Sequence, residues 1–223
     1  MLRVVKQGSG LRRALRCSVA AVAFALLTGA ASAQTLEVAV EASPAGLDPH
    51  IVTAFASSQI VLGPIYEGLT ALDKTLNIIP GLAQSWTASA DGKTVTFKLR
   101  PGVTFHDSKP MEAEDVASSL RRVLSKDVGS PLASRLSAME SATAVDATTL
   151  ELKLKEPSAP LLASLTGIAI VPRGLEGNKD ALQRAPMGTG PFKFEEWQPN
   201  GFIRLAKHAG YWNAAEVKLA GVK

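Results

Sequence analysis

A chain of 223 residues with 24 basic and 20 acidic side chains is mildly basic as a whole, at a formal net charge of +4. Five of the bases (Arg3, Lys6, Arg12, Arg13, Arg16) and none of the acids fall in residues 1–33, which leaves 19 bases against 20 acids, a net charge of −1, in residues 34–223. That balance gives no compositional support to nucleic-acid or anionic-membrane binding, and the remaining length suits one or two domains of about 100–200 residues.

The first element is an export signal. The positive stretch is followed by the apolar run SVAAVAFALLTGA, too short to span a bilayer comfortably, and then by ASAQ, which predicts cleavage between Ala33 and Gln34 and hence a periplasmic location. Cys17 precedes the apolar core, so it lacks the placement of a lipid-attachment cysteine and leaves with the signal. Without it the mature chain has no cysteine, so its stability rests on burial and not on disulfides.

LEVAV, Leu36 to Val40, alternates and predicts a first strand, broken by the prolines and glycine of SPAGLDPH. Ile60, Leu62, Ile65 and Leu69 predict a helix over 54–69, kinked or restarted at Pro64. AQSWTAS and TVTFKLR, joined by Asp91-Gly92, predict a hairpin that buries Val95, Phe97 and Leu99. MEAEDVASSLRRVLSK predicts an amphipathic helix with Val116, Leu120, Val123 and Leu124 inward. Its acids lie early and its bases late, and a solvated, dipole-matched face accounts for these charges. TAVDATTLELKLKEP predicts a second hairpin burying Leu150, Leu152 and Leu154. APLLASLTGIAIVP reads as a buried helix-to-strand passage, and PFKFEEW with FIRLAKH as a third hairpin turning at Asn200-Gly201. Strands and helices without a regular βαβ rhythm predict an α+β protein.

Chemistry is sparse. GTGPF, residues 188–192, has two glycines around a hydroxyl, but Pro191 removes a backbone donor and neither nucleotide fingerprint is completed. His50, His106 and His208 are far apart in sequence and lack metal-ligand spacing, so no metal and no cofactor is implied. His106-Asp107 is the one arrangement that suggests a catalytic relay, and a polar loop pair is the simpler account of it. No catalytic residue is assigned. Trp86 and Trp197 fall within strand patterns and are expected in the core.

Taken in order, LDPH, IYEGLTALD, IIPGLAQSW, DGKTVTFKLRPGVTFHDSKPMEAEDV, TLELKLKEPSAPLL, MGTGPFKF and GYWN resemble the solute-binding proteins of ABC importers, in the group that carries oligopeptides, dipeptides and nickel. The resemblance implies a flytrap fold: lobe one from residues 34–70 and 165–223, an inserted α+β domain over 71–164, and an opposing lobe outside this chain. It implies capture of a small solute, a peptide in the first instance, for a membrane permease, by a non-enzymatic monomer. By the same resemblance GTGPF opens a lobe-one strand pair, and Thr53, Ala54 and Phe55, just after LDPH, line the lobe-one side of the ligand cleft. Members of that group run longer than this chain, so a truncated remnant unable to close is an alternative function, as is a secreted hydrolase built on His106 and Asp107. Two positions depart from the group's pattern: Ser108 stands where glycine is usual, and Glu112 stands where a threonine usually caps the helix.

Overall fold

The computed structural model describes residues 34–223; residues 1–33, where the sequence predicts an export signal, lie outside the described residues. Two four-stranded sheets and a small hairpin organise the fold. The first sheet joins chain segments far apart in sequence: β1 (Thr35–Leu36) runs parallel to β10 (Gly221–Val222), which pairs antiparallel with β9 (Phe202–Lys207), and β9 pairs with β8 (Phe192–Gln198). The second sheet is antiparallel throughout, in the order β4 (Ala83–Ala88), β5 (Thr94–Leu99), β7 (Thr149–Leu154), β6 (Met139–Asp146). Between them in sequence lies the hairpin of β2 (Thr70–Leu72) and β3 (Ile78–Pro80).

All three hairpins expected from alternation form, because period-two apolar residues have one face to bury. Phe97, Leu150 and Leu152 are fully buried, and Trp86 packs obliquely on Phe97 at 6.3 Å between ring centroids. The amphipathic helix is α2 (Ala113–Leu124), and Val116, Leu120 and Val123 lie at zero exposure against the second sheet's core. Leu124, expected on the same face, is instead 37% exposed, at the helix's last residue. Glu112 starts the helix with its N–H donating to the Asp115 carboxylate at 2.8 Å. A short helix, α3 (Leu161–Leu165), begins the APLLASLTGIAIVP stretch as expected. Ile168 to Val171 then run buried but not as a strand.

Two other expectations fail for identifiable reasons. The strand predicted over Leu36–Val40 forms only at its start, within Thr35–Leu36, which pairs with Gly221 and Val222; Lys223 N–H to the Leu36 carbonyl and Val38 N–H to the Lys223 carbonyl, both at 2.8 Å, continue the contact without further strand. The helix expected over 54–69 is α1 (Phe55–Val61) only. Leu62 turns extended and Gly63 takes φ +89° before Pro64, which has no N–H to continue the ladder. Ile65 and Leu69 remain buried all the same, as parts of two different cores.

Ser108, which stands where the group's pattern has glycine, adopts φ +68° in the turn Phe105–Lys109, so the left-handed conformation is kept despite a Cβ that tolerates it less well. Replacing it by glycine should raise stability by up to about 1 kcal/mol, the relief of Cβ strain less the added unfolded-state freedom of glycine. A thermal melt of Ser108→Gly showing a lower midpoint than wild type would contradict this.

Candidate ligand-binding site

The loop that carries Thr53, Ala54 and Phe55 rises from a buried polar anchor. Pro49 follows Asp48 into a turn, in which the Asp48 carboxylate accepts the His50 N–H at 2.9 Å. Arg122 of α2 then grips that carboxylate through both terminal nitrogens, at 3.1 and 2.6 Å, with both side chains at 1% exposure or less. The same guanidinium donates to the carbonyls of Leu175 and Asn178, and to His50 Nδ1 at 2.9 Å. Because Nδ1 accepts, the His50 proton sits on Nε2 and is donated to the Ala169 carbonyl at 2.8 Å. Burial, and secondarily the Arg122 charge, pull this imidazole down to about 4, so it is neutral at pH 7. Ser130 donates to the His50 carbonyl and closes the anchor from a further loop.

From that base the chain emerges into solvent. Thr53, Ala54 and Phe55 are all exposed, and Phe55, the first residue of α1, is 78% exposed. The opposite side of α1 is buried through Ser57 and Val61. Phe55 and Gln59 are spaced i, i+4 on one helix face, and Gln59, Ile60 and Leu62 border an open groove of about 1040 Å³. Its other walls are largely apolar: Leu36, Val38 and Val40 from the β1 side, and Trp197, Phe202 and Ile203 from the β8–β9 hairpin. Leu36, Val38 and Val40 are 47%, 52% and 41% exposed, a contiguous apolar surface of the kind that marks binding or packing sites. The three residues singled out in the sequence thus lie together at one end of the helix that borders this groove.

GTGPF serves backbone packing. A Cβ on Gly188 would lie 2.2 Å from the Ile65 carbonyl oxygen, and one on Gly190 2.5 Å from that of Pro64. The loop is laced to the chain after α1 by Gly190 N–H to Ile65 O at 2.9 Å and Phe192 N–H to Pro64 O at 3.0 Å. Between the glycines, Thr189 donates to the Glu67 carboxylate at 2.9 Å, and Tyr211 and Trp212 donate to the same carboxylate at 2.9 and 3.1 Å. Burial raises the Glu67 carboxyl above its usual range, against the pull of those three donors. Arg100 stacks on the Trp212 ring at 3.9 Å.

The suggested His106–Asp107 relay does not form. Asp107 pairs with Lys109 at 2.8 Å, while the His106 ring turns to the Gly190 carbonyl at 3.1 Å. Two groupings escaped the sequence. Arg122 looked like one more charge on a solvated helix and is in fact fully buried on Asp48, 74 residues away. His106 and His208, distant in sequence, meet with ring centroids 5.0 Å apart.

Comparison with known proteins decides the family. A profile of the bacterial extracellular solute-binding proteins, family 5, middle region, matches residues 77–223. The chain belongs to this family. It is 32% identical over 194 residues to a glutathione-binding protein, GsiB, of Pectobacterium atrosepticum, covering 86% of this chain and 38% of the relative. It is 33% identical to di/tripeptide-binding protein 2 of Pseudomonas aeruginosa, covering 90% and 43%. Among solved structures it resembles the binding protein AgaA of A. tumefaciens R10 in complex with agropinic acid, with TM-score 0.79, 31% identity and coverage of 84% and 38%. The chain therefore spans about two fifths of the length of these relatives, and its architecture is that of a portion of the family 5 flytrap fold. The relatives are solute-binding proteins, not enzymes.

Proposed function

We propose that this family 5 chain is the part of a periplasmic importer protein that supplies one wall of the solute cleft, the solute being a peptide or peptide-like molecule passed on to an ABC permease. Residues 1–33 direct export and are cleaved after Ala33. Residues 34–70 and 165–223 make lobe one, and residues 71–164 are an inserted domain. This division is supported by the first sheet drawing its strands only from the outer segments. The protein works as a monomer without cofactor or metal, and without catalysis. A ligand held here stabilises a closed form only through contacts to a second wall as well.

The observation that carries the cleft assignment is Phe55: a large aromatic 78% exposed at the start of a helix, next to a loop held by the buried Asp48–Arg122–His50 anchor. Such an arrangement keeps an apolar wall in place at little entropic cost on binding. Thr53 offers a hydroxyl to the ligand's amide groups, and Ala54 leaves room for its backbone. Phe55→Ala should weaken binding of reduced glutathione and trialanine about tenfold, with little change in melting temperature because Phe55 packs against so little. Calorimetric titration checks this, and unchanged affinity for both probes would remove Phe55 from the site.

A further inference from the structure

Two histidines far apart in sequence share one backbone acceptor. His106, in the turn Phe105–Lys109 after β5, and His208, just past β9, both direct a ring nitrogen at the carbonyl oxygen of Gly190, at 3.1 and 3.3 Å. The rings meet edge to face at 83°. The tautomer of His106 follows from its second contact: its Nδ1 accepts the Gly188 N–H at 3.4 Å, so its proton resides on Nε2 and is donated to Gly190. Main-chain bonds run alongside, His106 N–H to Gly188 O at 3.0 Å and His208 N–H to Pro191 O at 2.8 Å. We propose that this pair is an acid-released pin, which holds the turn Phe105–Lys109 on the glycine loop while both imidazoles are neutral and lets it go when they protonate.

A proton on His106 Nδ1 turns an acceptor into a donor facing the Gly188 N–H, and that bond breaks. Protonation of both rings also places two positive charges about one ring's width apart around a single carbonyl. The surroundings reinforce the effect. From β8, the positive charge of Lys193 faces both rings and opposes their protonation. From the turn itself Asp107 favours it, but its carboxylate is engaged by Lys109. Among the described residues neither ring hydrogen-bonds a carboxylate. Burial is the first cause that lowers both imidazoles, His106 to about 4. The sign is then fixed: the unfolded or released ring takes up its proton near pH 6.5, the pinned ring only near pH 4, so the pin weakens as pH falls through that window and is intact above it. Release would loosen Gly188 and Gly190, and with Gly190 its N–H bond to the Ile65 carbonyl in the chain after α1.

The test is hydrogen exchange by NMR on the folded protein, with rates corrected for intrinsic pH dependence. Between about pH 7 and pH 4, protection of the His106 and Gly190 amides should fall at least about tenfold, while Phe97 in β5 and Leu152 in β7 keep theirs. His106→Gln, which retains an N–H donor and cannot titrate, should abolish most of that differential loss. If the variant does not fold, the ring C2–H titration of the wild type decides instead: a His106 midpoint well below 6 supports the pin. A His106 midpoint at 6 or above, equal loss of protection in the sheet, or an unaltered acid response in His106→Gln would each overturn it.

Discussion

Replacing Arg122 with methionine should lower the unfolding free energy by about 3–5 kcal/mol, whereas the same change at Arg121 should cost less than about 1 kcal/mol. The two arginines are adjacent on α2, and solvent separates their fates. Arg121 pairs with Glu114 at 2.6 Å, but both side chains are more than 40% exposed and water screens them. Arg122 makes the same kind of contact at 2.6 Å with both partners essentially inaccessible, so its removal leaves the Asp48 carboxylate buried without a counter-charge. Two carbonyls, those of Leu175 and Asn178, also lose their donor. The double change Asp48→Asn with Arg122→Met should recover part of the loss, because the uncompensated charge is then gone. Denaturant unfolding followed by circular dichroism measures all four proteins. Equal, small effects at the two arginines would show that the anchor beneath the Thr53–Phe55 loop contributes nothing to stability.

The second large effect is expected at Gly188. A methyl group there would meet the Ile65 carbonyl oxygen at 2.2 Å and the Tyr66 ring at 2.7 Å, and the first of these is backbone that cannot rotate away. Gly188→Ala should therefore cost about 3 kcal/mol or more, beyond the usual range for an extra methylene. For a chain of this size that corresponds to a midpoint lowered by roughly 6–12 °C. Gly177→Ala is the control, since a Cβ there meets nothing within 4 Å and its φ is unremarkable. If the two variants melt together, the glycine loop is not held against the chain after α1 as described.

What could be read from the sequence follows from how locally each feature is specified. The hairpins β4–β5, β6–β7 and β8–β9 were legible because alternation and the turn residues Asp91-Gly92 and Asn200-Gly201 lie within a few residues of the strands they join. Ser108 was singled out only by family resemblance, as a residue standing where glycine is usual, and its left-handed φ emerged from the fold. The length of α1 was not: Ile65 and Leu69 keep helical spacing and are buried, yet Gly63 and Pro64 divert the chain, and burial is then supplied by two separate cores. Arg122 was misread because a charge on an amphipathic helix is ordinarily solvated, and its partner Asp48 lies in a turn with no sequence link to α2. The three candidate cleft residues were placed by family resemblance, while their shared anchor and the adjoining groove emerged only from the fold.

Titration of the isotopically labelled protein with reduced glutathione and with trialanine, followed by backbone amide shifts, tests directly whether the Thr53–Phe55 loop meets the solute. Weak, saturable binding is expected, with dissociation constants up to about 1 mM for this single wall, and shift changes concentrated between Ile51 and Gln59. No saturable change up to about 10 mM of either probe, or changes confined to surfaces such as the β2–β3 hairpin, would contradict the assignment of this loop to the solute cleft.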